Sequence, residues 1–203
     1  MARESYHHGN LRQALVQATV HLIEEKGPQA FTLAEAARQA GVSAAAPYRH
    51  FAGRDELLEE VARHGFEEFS QRLETAFSGG KPTPLSALFH MGKAYLAFAA
   101  ERRGYYIAMF ESGISITSNS ALTQAADRAR GVLVTAAEEL FRTAPGDQRP
   151  PAWMVADHIW ALSHGVVELF SRGKPGGRSP ISPEDMLESG TLIYLRGLGV
   201  ISA

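Results

Sequence analysis

The stretch 31-FTLAEAARQAGVSAAAPYRHF-51 decides the fold. Thr32 is followed three positions later by Glu35, a pairing in which hydroxyl and carboxylate cap each other's backbone N–H at a helix start. That cap opens the helical stretch TLAEAARQA, and Gly41 is the residue type that closes such a helix. Two residues on, Ser43 is another N-cap candidate. A short helix, a tight glycine turn and a second capped helix are the parts of a helix-turn-helix, whose second helix enters the DNA major groove N-terminus first.

The residue types suit that task. A helix start offers unpaired N–H groups and positive dipole to phosphates, and small side chains at Ser43, Ala44, Ala45 and Ala46 let the backbone approach base edges. Alanine methyls can meet thymine methyls. Tyr48, Arg49, His50 and Arg54 are candidates to hydrogen-bond phosphates and set register, with Thr32 and Leu33 on the preceding helix and Arg3 on an N-terminal arm. Phe51 is expected in the core. Pro47 is the awkward residue: with Ser43 as cap, its ring crowds the Ser43 carbonyl, its missing N–H removes the first intrahelical bond, and Ala46 is pushed from the helical region. The favoured expectation is a distorted but helical first turn; the alternative is a regular helix beginning at Pro47.

Helical signals continue on both sides, and no segment shows sustained strand alternation. Asn10 and Gln13 form a capping-box pattern ahead of Leu11, Leu15, Ala18, Leu22 and Ile23, and Gly27 and Pro28 end that helix. A long helix is expected from residue 53 or 54 to about 77, with Leu57, Leu58, Val61, Phe66 and Phe69 inward and a bend at Gly65. Breaker clusters separate further helices at about 84–101, 105–110, 119–142 and 152–170. The stretch SRGKPGGRSPISP reads as a mobile linker before a last helix capped by Ser182 with Pro183 at its first position. The chain is therefore expected to be all-α, about nine helices: a three-helix DNA-binding domain over 1–52 and a larger helical domain over 53–203.

Composition narrows the classes. The chain has 203 residues, 45% of them hydrophobic and 21% charged, which is ordinary for a globular protein. It has no cysteine, which excludes disulfides, thiolate catalysis and Cys-ligated zinc. No apolar run reaches the roughly 20 residues of a membrane span, and the first ten residues lack the apolar core of a secretory leader, so no membrane partner and a cytoplasmic location are expected. The net charge is −2, but its distribution is uneven: residues 1–54 carry six Lys and Arg against four Glu, and six acids follow between Asp55 and Glu68.

The segment FTLAEAARQAGVSAAAPYRHFAGRDELLEEV resembles the DNA-binding domain of TetR-type transcriptional regulators, in which a Tyr-x-His-Phe run ends the recognition helix and a basic residue follows at the next helix. Here those residues are Tyr48, His50, Phe51 and Arg54. The likeness extends over roughly 55 residues, with Pro47 standing where Leu or Ile is usual and Ala44 to Ala46 offering few base-reading donors. YHHGNLR and IWALSHGVVELF are similar to a subgroup with a Trp-His-Gly type C-terminal domain, through Trp160, His164 and Gly165. The resemblance implies a repressor released from a palindromic double-stranded DNA operator by a small-molecule effector, acting as a homodimer joined by two helices of each subunit.

In the body, Phe89, His90, Tyr95, Tyr106, Met109, Phe110, Trp153, His158, Trp160 and His164 are candidates to line the effector cavity, although such residues at helical spacing are commonly plain core. The last two helices carry more apolar surface than a small body covers, and Trp160, Val167, Phe170, Leu187, Leu192 and Leu195 are the candidate dimer contacts. No metal or cofactor is expected: His7 and His8 read as a solvated pair, and His158, His164 and Glu168 lack metal-ligand spacing. No organised nucleophile, paired-carboxylate or phosphate-loop motif supports an enzyme. An activator of the same fold, a helical ligand carrier or enzyme, and an architectural DNA protein stay open.

Overall fold

A computed structural model describes residues 8–144, 149–171 and 179–201, with side chains from Leu11 onward. Among these residues the regular structure is eight α-helices and one short 3-10 helix: α1 (His8–Lys26), α2 (Leu33–Gln39), the 3-10 turn Pro47–Arg49, α3 (Arg54–Phe77), α4 (Pro84–Glu101), α5 (Arg103–Phe110), α6 (Ser120–Thr143), α7 (Ala152–Ser171) and α8 (Pro183–Gly197). These are the nine helical segments the sequence leads one to expect, except that the third is not an α-helix.

Two helix starts follow the sequence closely. The Thr32 hydroxyl accepts from the Glu35 N–H at 3.2 Å and the Glu35 carboxylate accepts from the Thr32 N–H at 3.0 Å, a complete capping box. Ser182 caps α8 through the Asp185 N–H at 3.0 Å, with Pro183 at the first position. Asn10 is different. Because α1 already includes His8, Asn10 lies inside the helix and is not its cap. The proposed linker falls largely on residues 172–178, outside the described residues.

The chain packs as two compact units, residues 1–66 with 102–126 and residues 67–101 with 127–203. The expected boundary at residue 52 is thus not where the packing divides, for a reason visible in the first unit. There α5 lies directly on α1. A Cβ at Gly104 would stand 2.6 Å from the Val20 carbonyl oxygen, so only glycine permits this approach. Glu24 of α1 then caps α5 by accepting from the Gly104 N–H at 2.9 Å, in place of the side-chain cap that Arg102 does not provide. Gln17 donates to the Tyr105 hydroxyl at 2.9 Å. Gly65 also serves close packing, because a Cβ there would meet Met109 Sδ at 2.6 Å. The helix α3 continues unbroken past this residue.

In the second unit α4, α7 and α8 pack on one another. Their aromatic side chains meet the start of the unit's α3 segment: Phe69 stacks edge-on against Tyr95 and Trp160, with ring centroids 5.1 and 6.0 Å apart. Arg130 of α6 grips Asp157 of α7 through two bonds of 2.8 and 2.7 Å, the bidentate arrangement that arginine's planar fork allows.

Replacing Gly104 by alanine forces a methyl onto the Val20 carbonyl, and neither backbone can yield without separating α1 from α5. We expect Gly104→Ala to destabilise the protein by about 1–3 kcal/mol or more, the scale of overpacking, read as a lower urea midpoint at unchanged slope.

Candidate nucleic-acid interface

The end of α2 sets the turn. Gly41 takes φ of +72°, the Gly41 N–H donates to the Arg38 carbonyl at 3.1 Å, and the Val42 N–H reaches back to the Ala37 carbonyl at 2.9 Å. This pair of bonds is the Schellman closure. The chain then enters a series of tight turns. The Ala46 N–H donates to the Ser43 carbonyl at 2.9 Å, Arg49 to Ala46 at 3.3 Å, and His50 and Phe51 both to Pro47 at 2.9 and 3.0 Å.

Pro47 explains the tightening. It has no N–H to give to the Ser43 carbonyl, so that acceptor is satisfied one residue earlier, by Ala46. The proline itself is buried at the first position of the 3-10 helix, where an N–H is not needed. Ala46 keeps helical angles, φ −63° and ψ −40°, despite preceding a proline. Both expectations for Pro47 are met in part: the regular piece begins at Pro47, and a helical turn tightened to three-residue closures precedes it. Ser43 does not cap an α-helix, since none follows it.

The residues expected at DNA separate into two groups. Thr32, Ser43, Ala44, Ala45, Tyr48 and Arg49 are exposed or partly exposed, Tyr48 by 63%, which is unusual for so large an aromatic ring. Ala46 and His50 are half-buried. Leu33 is 6% exposed and packs in the core. Arg54, expected at phosphates, donates to the Pro28 carbonyl and to Gln29 Oε1, pairs with Asp55 at 2.7 Å and lies over the Phe31 ring. In this arrangement it ties the start of α3 to the turn between α1 and α2. Arg3 lies outside the described residues, as do His7 and the side chain of His8.

Behind the exposed segment is a buried charge cluster that sequence reading missed. Glu60 of α3 receives Arg12 Nε at 2.9 Å, Arg63 Nε at 2.8 Å and His64 Nε2 at 3.4 Å. Arg12 also donates to the His50 carbonyl at 3.3 Å and covers the Phe51 ring at 4.7 Å. The cluster's only sequence signal is Arg63 and His64 three and four residues after Glu60 on one helix face.

The ten candidate effector residues divide between the two units. Tyr106, Met109 and Phe110 belong to the first unit and the other seven to the second. Of those seven, His90, Trp153 and His158 are exposed, and His158 bonds the Tyr194 hydroxyl at 2.8 Å. Tyr95, Trp160 and His164 do meet: Tyr95 is buried against Trp160, and its hydroxyl lies 3.2 Å from His164 Nδ1. Phe89 lines a narrow cleft between α4, α7 and α8, with Leu88, Gly92, Ile159 and Leu187.

The candidate dimer contacts differ in exposure within the subunit. Leu195, Val167 and Leu187 are buried in their own subunit, and Trp160 is packed on Phe69 and Tyr95. Phe170 and Leu192 are half-buried. The apolar face that α7 and α8 do leave open carries Leu162, Leu169 and Ile193, the last 70% exposed. Among the described residues no helix is long and apolar enough to cross a membrane.

Burial pushes the Glu60 carboxyl upward, but hydrogen bonds from His64, Arg63 and Arg12 outweigh it and hold the group well below the ordinary value of 4.5. A depressed folded-state pKa stabilises the protein fully above the unfolded value and loses that contribution as pH falls. We therefore expect acid unfolding below about pH 4.5 to be steeper in the natural protein than in Glu60→Gln, by up to about 1.4 kcal/mol per pH unit, measured by urea titration at successive pH values.

Comparisons with known proteins bear on this arrangement. Residues 15–61 match the family described as "Bacterial regulatory proteins, tetR family", and residues 88–192 match "Tetracyclin repressor-like, C-terminal domain". The chain is 29% identical over 173 residues to the HTH-type transcriptional regulator BetI of Brucella anthropi, covering 83% of this chain and 84% of that protein. Its fold is similar to that of a protein of unknown function from Rhodococcus sp. RHA1, with TM-score 0.80, 25% identity and 97% and 99% of the two chains covered. It also resembles the TetR family regulator PfmR of Thermus thermophilus, with TM-score 0.68, 19% identity and 91% and 98% covered.

Proposed function

Because the chain belongs to the TetR family of bacterial transcriptional regulators, we propose that it is a repressor that binds a palindromic double-stranded DNA operator as a homodimer and leaves it when a small-molecule effector binds. The observation that carries this reading is the exposed run Ser43, Ala44, Ala45, Tyr48 and Arg49, held by the Schellman turn of α2 on one side and the buried Pro47 and Phe51 on the other. A large exposed aromatic ring beside an exposed guanidinium, ahead of which three alanines leave the backbone open, is a surface suited to phosphate contacts flanking a close backbone approach. Residues 1–52 carry DNA binding in this reading, and 53–203 carry the effector and the partner subunit. The protein acts in the cytoplasm, with no membrane partner, no cofactor and no catalysis.

Dimerisation is assigned to the open face of α7 and α8. Beside Leu162, Leu169 and Ile193 lie Gly165 and Gly190, and a Cβ at either would meet nothing within 4 Å. Mid-helix glycine costs about 1 kcal/mol relative to alanine, and nothing inside the subunit requires it at these positions. A second copy approaching closely supplies the reason, and a two-fold pairing of this face matches two operator half-sites. Trp160 and His164, gathered with Tyr95 in the second unit, support the Trp-His-Gly subgroup and an effector that engages this aromatic and imidazole cluster. The effector acts by population shift: it binds better to the form whose two heads are wrongly spaced for the operator, and lowers operator affinity by that difference.

Selection of binding sequences by the purified protein, repeated with candidate metabolites, tests the reading directly. A palindromic consensus lost on adding one metabolite supports it; affinity indifferent to sequence points instead to an architectural DNA protein. Arg49→Ala should weaken binding to all sequences and reduce the slope of log affinity against log salt by about one, whereas an unchanged slope removes Arg49 from the phosphate contacts.

Ile193→Asp and Gly165→Leu should each release monomers and abolish tight operator binding. Dimers persisting in sedimentation would place the interface elsewhere.

A further inference from the structure

We propose that Glu60 is the positioning residue of the DNA-facing segment, acting through Arg12. The inference rests on the DNA-binding reading above and assigns what sets the segment's place. Glu60 has a side chain only 10% exposed and lies on α3, away from the exposed run itself. Its Oε1 accepts from Arg12 Nε at 2.9 Å and from Arg63 Nη2 at 2.9 Å, and its Oε2 accepts from Arg63 Nε at 2.8 Å. Arg63 and His64 sit on the same helix and hold the carboxylate in one rotamer. Arg12 comes from α1, so the Arg12–Glu60 bond joins two helices.

Arg12 passes the constraint on. Its Nη1 donates to the carbonyl of His50, the residue that ends the 3-10 helix, and its guanidinium face rests on Phe51, the next residue. The segment from Pro47 to Phe51 is thus fixed at its C-terminal end by one guanidinium whose direction Glu60 dictates. Arginine suits the part because a planar fork can serve two acceptors and a ring at once.

Electrostatics gives the proposal a distinctive sign. A carboxylate in a DNA-binding head repels phosphate, so removing its charge should tighten binding to any DNA if charge were all that mattered. Positioning predicts the reverse for the operator alone. In Glu60→Gln the Arg12 charge is kept while its anchor is reduced from a carboxylate, which also accepts two bonds from Arg63, to one neutral amide oxygen.

The test measures binding of wild type and Glu60→Gln, over a range of salt, to the operator that wild type selects and to unrelated DNA. We expect operator affinity to fall about tenfold, binding to unrelated DNA to stay level or tighten, and the operator salt slope to stay unchanged. Operator binding by Glu60→Gln equal to or tighter than wild type overturns the proposal. Should Glu60→Gln not fold, Arg12→Gln serves, since Arg12 is the half-exposed partner. It should weaken operator binding about tenfold at unchanged slope, and a slope smaller by about one would identify Arg12 as a phosphate ligand instead and overturn the assignment. Wild type selecting no sequence would remove the DNA-binding reading itself, a result distinct from a selected operator that Glu60→Gln binds undiminished.

Discussion

The close approach of α5 to α1 at Gly104 is the constraint on which the first unit depends. Backbone meets backbone there, because any side chain at Gly104 would collide with the Val20 carbonyl. Once the two helices are this close, Glu24 can reach the Gly104 N–H and Gln17 can reach the Tyr105 hydroxyl, so polar groups of α1 close the start of a helix 80 residues away. The other end of α5 is tied as well: Gln29, in the turn that leads to α2, donates to the Ser112 carbonyl at 2.6 Å. The helix-turn-helix is therefore held by a segment that arrives late in the chain, and its first 52 residues are not a self-contained packing unit.

Much of this architecture was legible because local chemistry and tertiary packing agree. The Thr32 and Ser182 caps, the Gly41 stop and the inward faces of α1 and α3 depend on residues a few positions apart. Gly65 and Gly104 were illegible as packing contacts, because a glycine in a helical pattern reads as a bend or a break until its neighbour in space is known. The apolar stripe that α7 and α8 leave open was illegible for a related reason. Along α7 and α8 the apolar residues cover so much of each circumference that spacing cannot say which stripe the subunit keeps for itself, and Leu195 and Ile193 are told apart only by α4 and α7 packing beside α8.

At the exposed segment after α2, some side-chain commitments were not legible in the sequence. Arg54 looked like a phosphate ligand because a cation beside a helix-turn-helix usually has few better partners. In the folded chain the Pro28 carbonyl, Gln29 and the Phe31 ring all lie within its reach. Leu33 follows a cap residue and could have faced either way; the helical phase set by Ala36 and Ala37, both fully buried, turns it inward. The Glu60 cluster needs Arg12, 48 residues earlier, and that distance in sequence hides it from any local pattern.

Pro47 and the alanines are best understood together. Ala44, Ala45 and Ala46 bring no hydrogen-bond donors to base edges beyond their backbone, so direct readout from this turn is confined to methyl contacts and the backbone's own reach. With DNA placed at this turn as proposed, discrimination rests on DNA shape and on how accurately the protein places its few contacts, since a misplaced phosphate contact leaves the whole turn out of register. A segment with long base-reading side chains can tolerate small shifts by changing rotamers; one built on alanine cannot. The tightened turns around Pro47, the buried Phe51 beneath them and the Arg12–Glu60 anchor at their end supply the rigidity that such a short-armed surface requires. Proline in the middle of the segment, which disfavours an ordinary α-helix, is for the same reason compatible with function here: it exchanges helical regularity for a fixed turn.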